Sequence, residues 1–206
     1  MTPEINPEIR TPLAYMHGHL SGLFRFDENI LPMKVVIEND GRLLAPMMVA
    51  MLTAGDTVLF LPDEEEPSMH LMVTLEEFEE SGPDGELADR WRIYHGEPDD
   101  LRWALMHVDA ARLDGVFYDG DALLMPNQLG SVEASICRWA NETIVEGLRA
   151  ACLQQHEIEL NDPRLVGVDS LGFDVRGRFG LVRLESQSTL ESEEQARSEL
   201  SRLTSP

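Results

Sequence analysis

The chain has 206 residues, with 16 basic against 38 acidic side chains, a formal net charge of −22 and a hydrophobic share of 43%. That apolar share supports a folded globular chain, long enough for one large domain or two small ones. The charge repels phosphate backbones and anionic lipid headgroups, which argues against nucleic-acid and membrane-surface partners. No apolar run reaches the ~18 residues of a membrane span. The start, Met-Thr-Pro-Glu-Ile-Asn-Pro-Glu, lacks the basic region and apolar core of a signal peptide. Lys34 is the only lysine among the basic residues. Cys137 and Cys152 fall on what reads as one helix, about 22 Å apart along its axis and too far for a disulfide. Buried free thiols in a reducing compartment are expected, and the cytoplasm is the expected location.

Residues 1–30 read as an irregular segment: three prolines precede position 13, with room for a short helix around Leu13–Leu23. From Met33 the pattern is β. Met33–Glu38 reads as a strand, Asn39-Asp40-Gly41 as a hairpin turn and Arg42–Met51 as the return, with Pro46 marking an edge or bulge. Thr57–Leu61 follows, then Ser68–Glu80, with Met69, Leu71, Val73 and Leu75 on one face. Leu87–Glu97, Trp103–Val108 and Val116–Leu124 complete six or seven short strands, a count that suggests a barrel. The character changes at Pro126. Ser131 is the expected cap of a helix to about Gln154, striped by Val132, Ile136, Ala140, Ile144 and Leu148. Three strands alternate around Val166 and Val168, then Phe173 and Val175, then Leu181 to Leu184. A Ser188/Glu191 capping box then opens a last helix burying Ala196, Leu200 and Leu203. The expected domains are thus 1–30, 31–126 and 127–206.

Two stretches carry a family resemblance. Leu171-Gly-Phe-Asp-Val-Arg, Gly180-Leu-Val-Arg-Leu and the acidic Glu-Gln-Ala-Arg helix resemble the C-terminal domain of the haem-utilisation (HugZ-type) family. More loosely, Arg92-Ile-Tyr-His-Gly-Glu-Pro and Val108 to Leu124 resemble the late strands of its barrel. That barrel is similar to the one in pyridoxamine-phosphate oxidases, whose subunits pair to build FMN sites. The resemblance implies an α+β chain: an FMN-binding-type split β-barrel followed by a small αβββα domain, working as a homodimer. FMN or haem are the cofactors it implies.

The residues that would carry that chemistry are mostly replaced. The family's His-Met-Asn-x-Asp-His pattern becomes Trp139-Ala-Asn141-Glu-Thr-Ile144, keeping the asparagine and losing both imidazoles. The family's phosphate-side helix is replaced by Leu61-Pro-Asp-Glu-Glu-Glu-Pro67, and Leu43 to Asp89 holds twelve carboxylates and no lysine or arginine. A phosphate needs cations or converging N–H groups, and carboxylates beside it are unfavourable. Arg42, Ser68, His70, Arg90 and Arg92 remain as the candidate cofactor contacts. A histidine near the C-terminus ligates haem in relatives, whereas the last histidine here is His156.

Other constellations are weaker. His17 and His19 lack a third metal ligand. His95 and His107 read as half-buried strand histidines, and Met47, Met48, Met51, Met69 and Met72 as core or a dimer surface. No nucleophile or acid–base constellation stands out, so no catalytic residue is assigned. The expected function is a non-catalytic binding or interaction protein on a degenerate flavin scaffold, with a tetrapyrrole or other apolar ligand at a dimer interface as one form of it. The alternative is an FMN-dependent oxidoreductase or haem-utilisation enzyme with an atypical site, since a flavin needs few catalytic side chains. A cleft uniting Arg90 and Arg92 with Ser68 and His70 would favour that alternative.

Overall fold

A computed structural model describes residues 6–98, 102–178 and 180–205. The chain forms two compact units that divide between Pro126 and Asn127.

The first unit corrects the expectation of an irregular start. Helix α1 spans Pro7–Gly18, and strands β1 (Ser21–Phe26) and β2 (Asn29–Lys34) follow as a hairpin. Asn6 caps α1 by accepting the Glu8 N–H at 3.0 Å, and Pro7 sits in the first turn, where a missing N–H is harmless. Pro12 lies inside the helix, whose Leu13 and Met16 are buried. Residues 1–5 lie outside the described ones.

Strands β3 (Val36–Ile37) and β4 (Leu43–Met47) flank the expected turn. Gly41 takes φ +94° there, and a Cβ at this position would meet the Met125 nitrogen at 2.7 Å. Beyond Met47 the expected return strand gives way to a short helix, α2 (Val49–Leu52). Pro46 pairs with Trp103 on one side only, because β3 ends opposite Leu44. Strands β5 (Thr57–Leu61) and β6 (Met69–Phe78) match the expected runs.

Residues Leu87–Glu97 are not a strand. Helix α3 (Leu87–His95) buries Ala88, Trp91 and Tyr94, a three-residue spacing that the alternation of Trp91, Ile93 and His95 conceals. Gly96, at φ +89°, closes it and donates its N–H to the Arg92 carbonyl at 2.9 Å. Strand β7 (Arg102–Leu113) leads to β8 (Val116–Asp119), after which helix α4 (Gly120–Leu123) ends the expected strand early. Asp119 caps α4 through the Asp121 N–H at 3.0 Å.

The sheet is antiparallel, in the order β2-β1-β5-β6-β7-β4-β3, with β8 also on β7. It curls around an inner face of Phe24, Leu59, Leu61, Leu71 and Met106, all fully buried. Curled, antiparallel and open, it is a split barrel, and the chain is α+β.

The second unit holds α5 (Gly130–Thr143), α6 (Val145–His156), β9 (Arg164–Asp169), β10 (Gly172–Arg176), β11 (Leu181–Glu185) and α7 (Glu193–Leu203). The one long helix expected from Ser131 is two, broken where Ile144 takes φ −130° and ψ 26°. The αβββα order is therefore ααβββα. Asn127, not Ser131, secures the start by accepting the Leu129 N–H at 3.0 Å. Cys137 and Cys152 consequently lie on different helices; Cys137 is half-buried, and burial pushes the Cys152 thiol up to about 11. The last cap is Ser192 with Gln195, not Ser188 with Glu191. The Ser192 hydroxyl accepts the Gln195 N–H at 3.3 Å, and Gln195 Oε1 accepts the Glu191 N–H at 2.8 Å. Ile136, Leu148, Phe173, Val175, Leu184 and Leu200 form the core.

Candidate functional site

The five candidate cofactor contacts do not meet. Arg90, on α3, donates Nε–H to the Ile37 carbonyl at 2.8 Å and lies over the Tyr94 ring. Arg92 pairs with Glu80 at 2.7 Å, Glu97 at 3.1 Å and Asp89 at 3.2 Å, and lies over Trp103. Trp103 sits opposite Phe78, at the far end of β6 from His70, eight residues or about 26 Å away. Arg42 is gripped by Asp40 at 2.6 Å, with Glu76 at 3.8 Å. It borders a cleft of about 50 Å³ shared with Gly41, Met106, His107 and Asp121. Pockets for drug-sized ligands run to roughly 300 Å³ and more, so this cleft is too small for an isoalloxazine or a tetrapyrrole.

Ser68 is buried and holds the acidic turn together, its hydroxyl donating to the Asp63 carbonyl. That turn sits beside His70 and Arg112, and Glu66 pairs with Arg112 at 2.9 Å. His70 alone among the five opens on a distinct feature, the outer face of the sheet.

That face follows from strand register. Direct partners across antiparallel strands share a face, as do residues two apart. One row runs Pro32, Leu23, Phe60, His70, Arg112, Phe117. The next runs Ile30, Arg25, Val58, Met72, Ala110, Asp119. Phe117 is 70% exposed, Ile30 39% and Met72 38%. Phe60 lies beneath Arg25, whose guanidinium is 5.6 Å from the ring centroid, and takes the His70 ring edge-on at 4.8 Å.

His70 Nε2 is buried without a hydrogen-bond partner among the described residues. Such an atom costs about 1–3 kcal/mol. Burial, with Arg112 next in weight, holds the imidazole below its ordinary 6.5. Sequence reasoning missed Arg25, Phe60, Arg112 and Phe117. The signal existed in the alternation of Leu23, Phe24, Arg25 and Phe26, but only the register joins β1 to β8.

The histidines at positions 17 and 19 do not gather a metal site. His17 is buried, and His19 bonds the Tyr15 carbonyl through Nδ1 at 2.8 Å. Among the described residues no group of three or more His, Cys, Asp or Glu could hold a metal ion. His95 bonds the Val35 carbonyl at 2.9 Å and His107 bonds Glu76 at 2.8 Å. No helix of the described residues is long and apolar enough to cross a membrane.

In the second unit, Asn141 has a structural task. Its amide accepts the Leu165 N–H at 2.8 Å and donates to the Leu165 carbonyl at 2.9 Å. Glu133 accepts the Val168 N–H at 3.0 Å and Asn127 donates to the Val168 carbonyl at 2.8 Å. These side chains close the outer edge of β9. On the sheet itself, Arg183 is buried between Asp169 at 2.6 Å and Asp174 at 2.9 Å.

No family model and no curated protein matches the sequence. Among solved structures, the chain shares its fold with Atu2129, a protein of unknown function from Agrobacterium tumefaciens strain C58. The TM-score is 0.74 at 16% identity, over 100% of both chains. A heme binding protein from Mycobacterium smegmatis scores 0.46 at 14% identity, over 99% of this chain and 97% of that one. A pyridoxamine 5′-phosphate oxidase-like protein from Listeria innocua scores 0.40 at 11% identity, over 52% of this chain and 97% of that one. Of these three, only the Atu2129 protein is close enough to share the whole fold.

Proposed function

We propose that this chain is a non-catalytic binding protein, working as a homodimer, on a split-barrel scaffold that has given up a flavin-type site. The observation that carries the reading is the engagement of the candidate cations. Arg90 and Arg92 serve α3 and its neighbours, and Arg42 serves the Asp40 turn. None faces Ser68, whose hydroxyl is committed to the acidic turn. A phosphate brought to that turn would meet the carboxylates of residues 63–66 before any cation other than Arg112, which Glu66 already holds.

The test is an absorbance spectrum of the purified protein, alone, with FMN and with haemin. The expected result is no flavin bands after desalting and no shifted Soret band. Flavin retained through desalting would overturn the reading. A sharpened Soret band would narrow it to a tetrapyrrole-binding protein.

A further inference from the structure

We infer that the cleft between the Gly41 turn, β7 and α4 binds a small zwitterion of the amino-acid kind, with its carboxylate on Arg42 and its ammonium on Asp121 and His107. The site is separate from the acidic turn and from any flavin-type site there, so it does not depend on the reading above.

Two glycines build the cleft. At Gly41 a Cβ would meet the Met125 nitrogen at 2.7 Å, and at Gly120 it would collide with the Val108 carbonyl. Bare backbone at both positions lets the turn before β4 and the start of α4 close on β7. The register pairs Leu43 with Met106 and so brings Arg42 beside His107. Arg42, His107 and Asp121 are the polar walls, and Met106, Leu123 and Leu124 the apolar ones.

The polar walls are held in place but only partly used. Asp40 takes the Arg42 Nε–H at 2.7 Å and lies 2.6 Å from Nη2, which spends one edge of the guanidinium. Nη1 makes no hydrogen bond among the described residues, and Glu76 stands 3.8 Å from it, beyond hydrogen-bond reach. His107 bonds Glu76 through Nε2 at 2.8 Å. A carboxylate offers only lone pairs, so Nε2 carries the proton and Nδ1 of the neutral ring is an acceptor. The Asp121 N–H is spent on Asp119, whereas the Asp121 carboxylate and His107 Nδ1 have no partner among the described residues. The cleft thus offers unused donors and unused acceptors on walls that do not have to rearrange.

Charge and size select the ligand. Asp40, Glu76 and Asp84 act on the Arg42 guanidinium, and Asp121 brings a fourth carboxylate to the cleft. Four carboxylates around one arginine disfavour a simple anion, and the guanidinium disfavours a simple cation. A zwitterion meets both walls with charge-assisted hydrogen bonds. A cleft of about 50 Å³ has room for about four water-sized groups, which sets the ligand at the size of glycine or alanine.

The test is an NMR titration of the full chain with alanine, read on the His107 ring and on the Met106 methyl group, assigned through Met106→Leu. A saturable shift with a Kd of about 1–10 mM is expected. Propionate lacks the ammonium and ethylamine lacks the carboxylate, and each should bind at least about tenfold more weakly. Arg42→Met and Asp121→Asn should each weaken alanine about tenfold. Arg102→Met, at an exposed arginine paired with Glu77 five residues away along β7, should leave it unchanged. The three probes are compared on the unaltered chain, so a misfolded variant does not spoil the test. No saturable shift up to about 100 mM alanine would overturn the inference. So would propionate or ethylamine matching alanine, which would mean an ion effect only, or alanine binding that neither Arg42→Met nor Asp121→Asn changes. Flavin retained through desalting would sink the functional reading and leave this site standing, and a null titration of a colourless protein would sink this one alone.

Discussion

The two sheets of this chain treat their polar and apolar surplus in opposite ways. In the second unit the surplus is closed off internally. The free edge of β9 is occupied by Asn127, Glu133 and Asn141, and the buried Arg183, on the face opposite Phe173, Val175 and Leu184, is held by two aspartates. In the first unit the outer face of the barrel leaves Phe117 mostly exposed and buries the His70 Nε2 with no hydrogen-bond partner among the described residues. A sheet edge whose N–H and C=O groups are bonded by the unit's own side chains is protected from pairing with another strand. A sheet face that leaves one aromatic ring exposed beside a buried nitrogen with no partner among the described residues is not closed in that way.

The sharpest way to break the closed side is Arg183→Leu. It removes the guanidinium that Asp169 and Asp174 share in a buried setting. Removing one partner of such a set costs about 3–5 kcal/mol. Urea unfolding followed by fluorescence of Trp139, the only tryptophan after Pro126, should show the second unit unfolding early. The loss should shrink at mildly acidic pH, where a carboxylate that has lost the Arg183 charge takes up a proton more readily. A loss below about 1 kcal/mol would mean that the triad is solvated and not closed.

Asn141→Ala is the next largest. It strips both hydrogen bonds from Leu165 and leaves a strand-edge N–H with no acceptor, worth about 2–3 kcal/mol. Asn141→Asp keeps the acceptor for the Leu165 N–H and should retain part of that stability. Equal losses in the two variants, by the same Trp139 transition, would count against the two-bond clamp.

Asn141 also shows how far the sequence was legible. It was the one residue of the family's helix pattern that this chain keeps, and its bonds to Leu165 explain it as scaffold, where the lost histidines would have been chemistry. Strand β6 could be read directly because its period-two alternation buries one regular face, and β5 and β9 to β11 because each is a short apolar run between turns, buried at most positions. Leu87–Glu97 could not, since Trp91, Ile93 and His95 alternate while the packing that decides the matter runs through Ala88, Trp91 and Tyr94. The outer face was hidden for a different reason. Leu23 and Phe117 are ninety-odd residues apart, and only the pairing of β1, β5, β6, β7 and β8 puts them in one row. Such non-local register cannot be read from local pattern. Arg90 and Arg92 were misplaced by the same error that made α3 a strand.

The smallest effect tests the open side. Burial and then Arg112 depress the His70 pKa, with Arg25 acting in the same direction and Glu66 and Glu64 opposing. The folded chain therefore binds this proton less readily than the unfolded chain does. Stability from this residue is complete above the ordinary value of 6.5 and is lost as pH falls through the lower, folded value. Carboxylates titrate mainly below about pH 5, so the window between about pH 7 and about pH 5.5 is that of the imidazoles, and the difference made by replacing His70 reads its share of the slope. His70→Leu should flatten that slope in the unfolding free energy of the first unit; an unchanged slope would place the titrating group elsewhere.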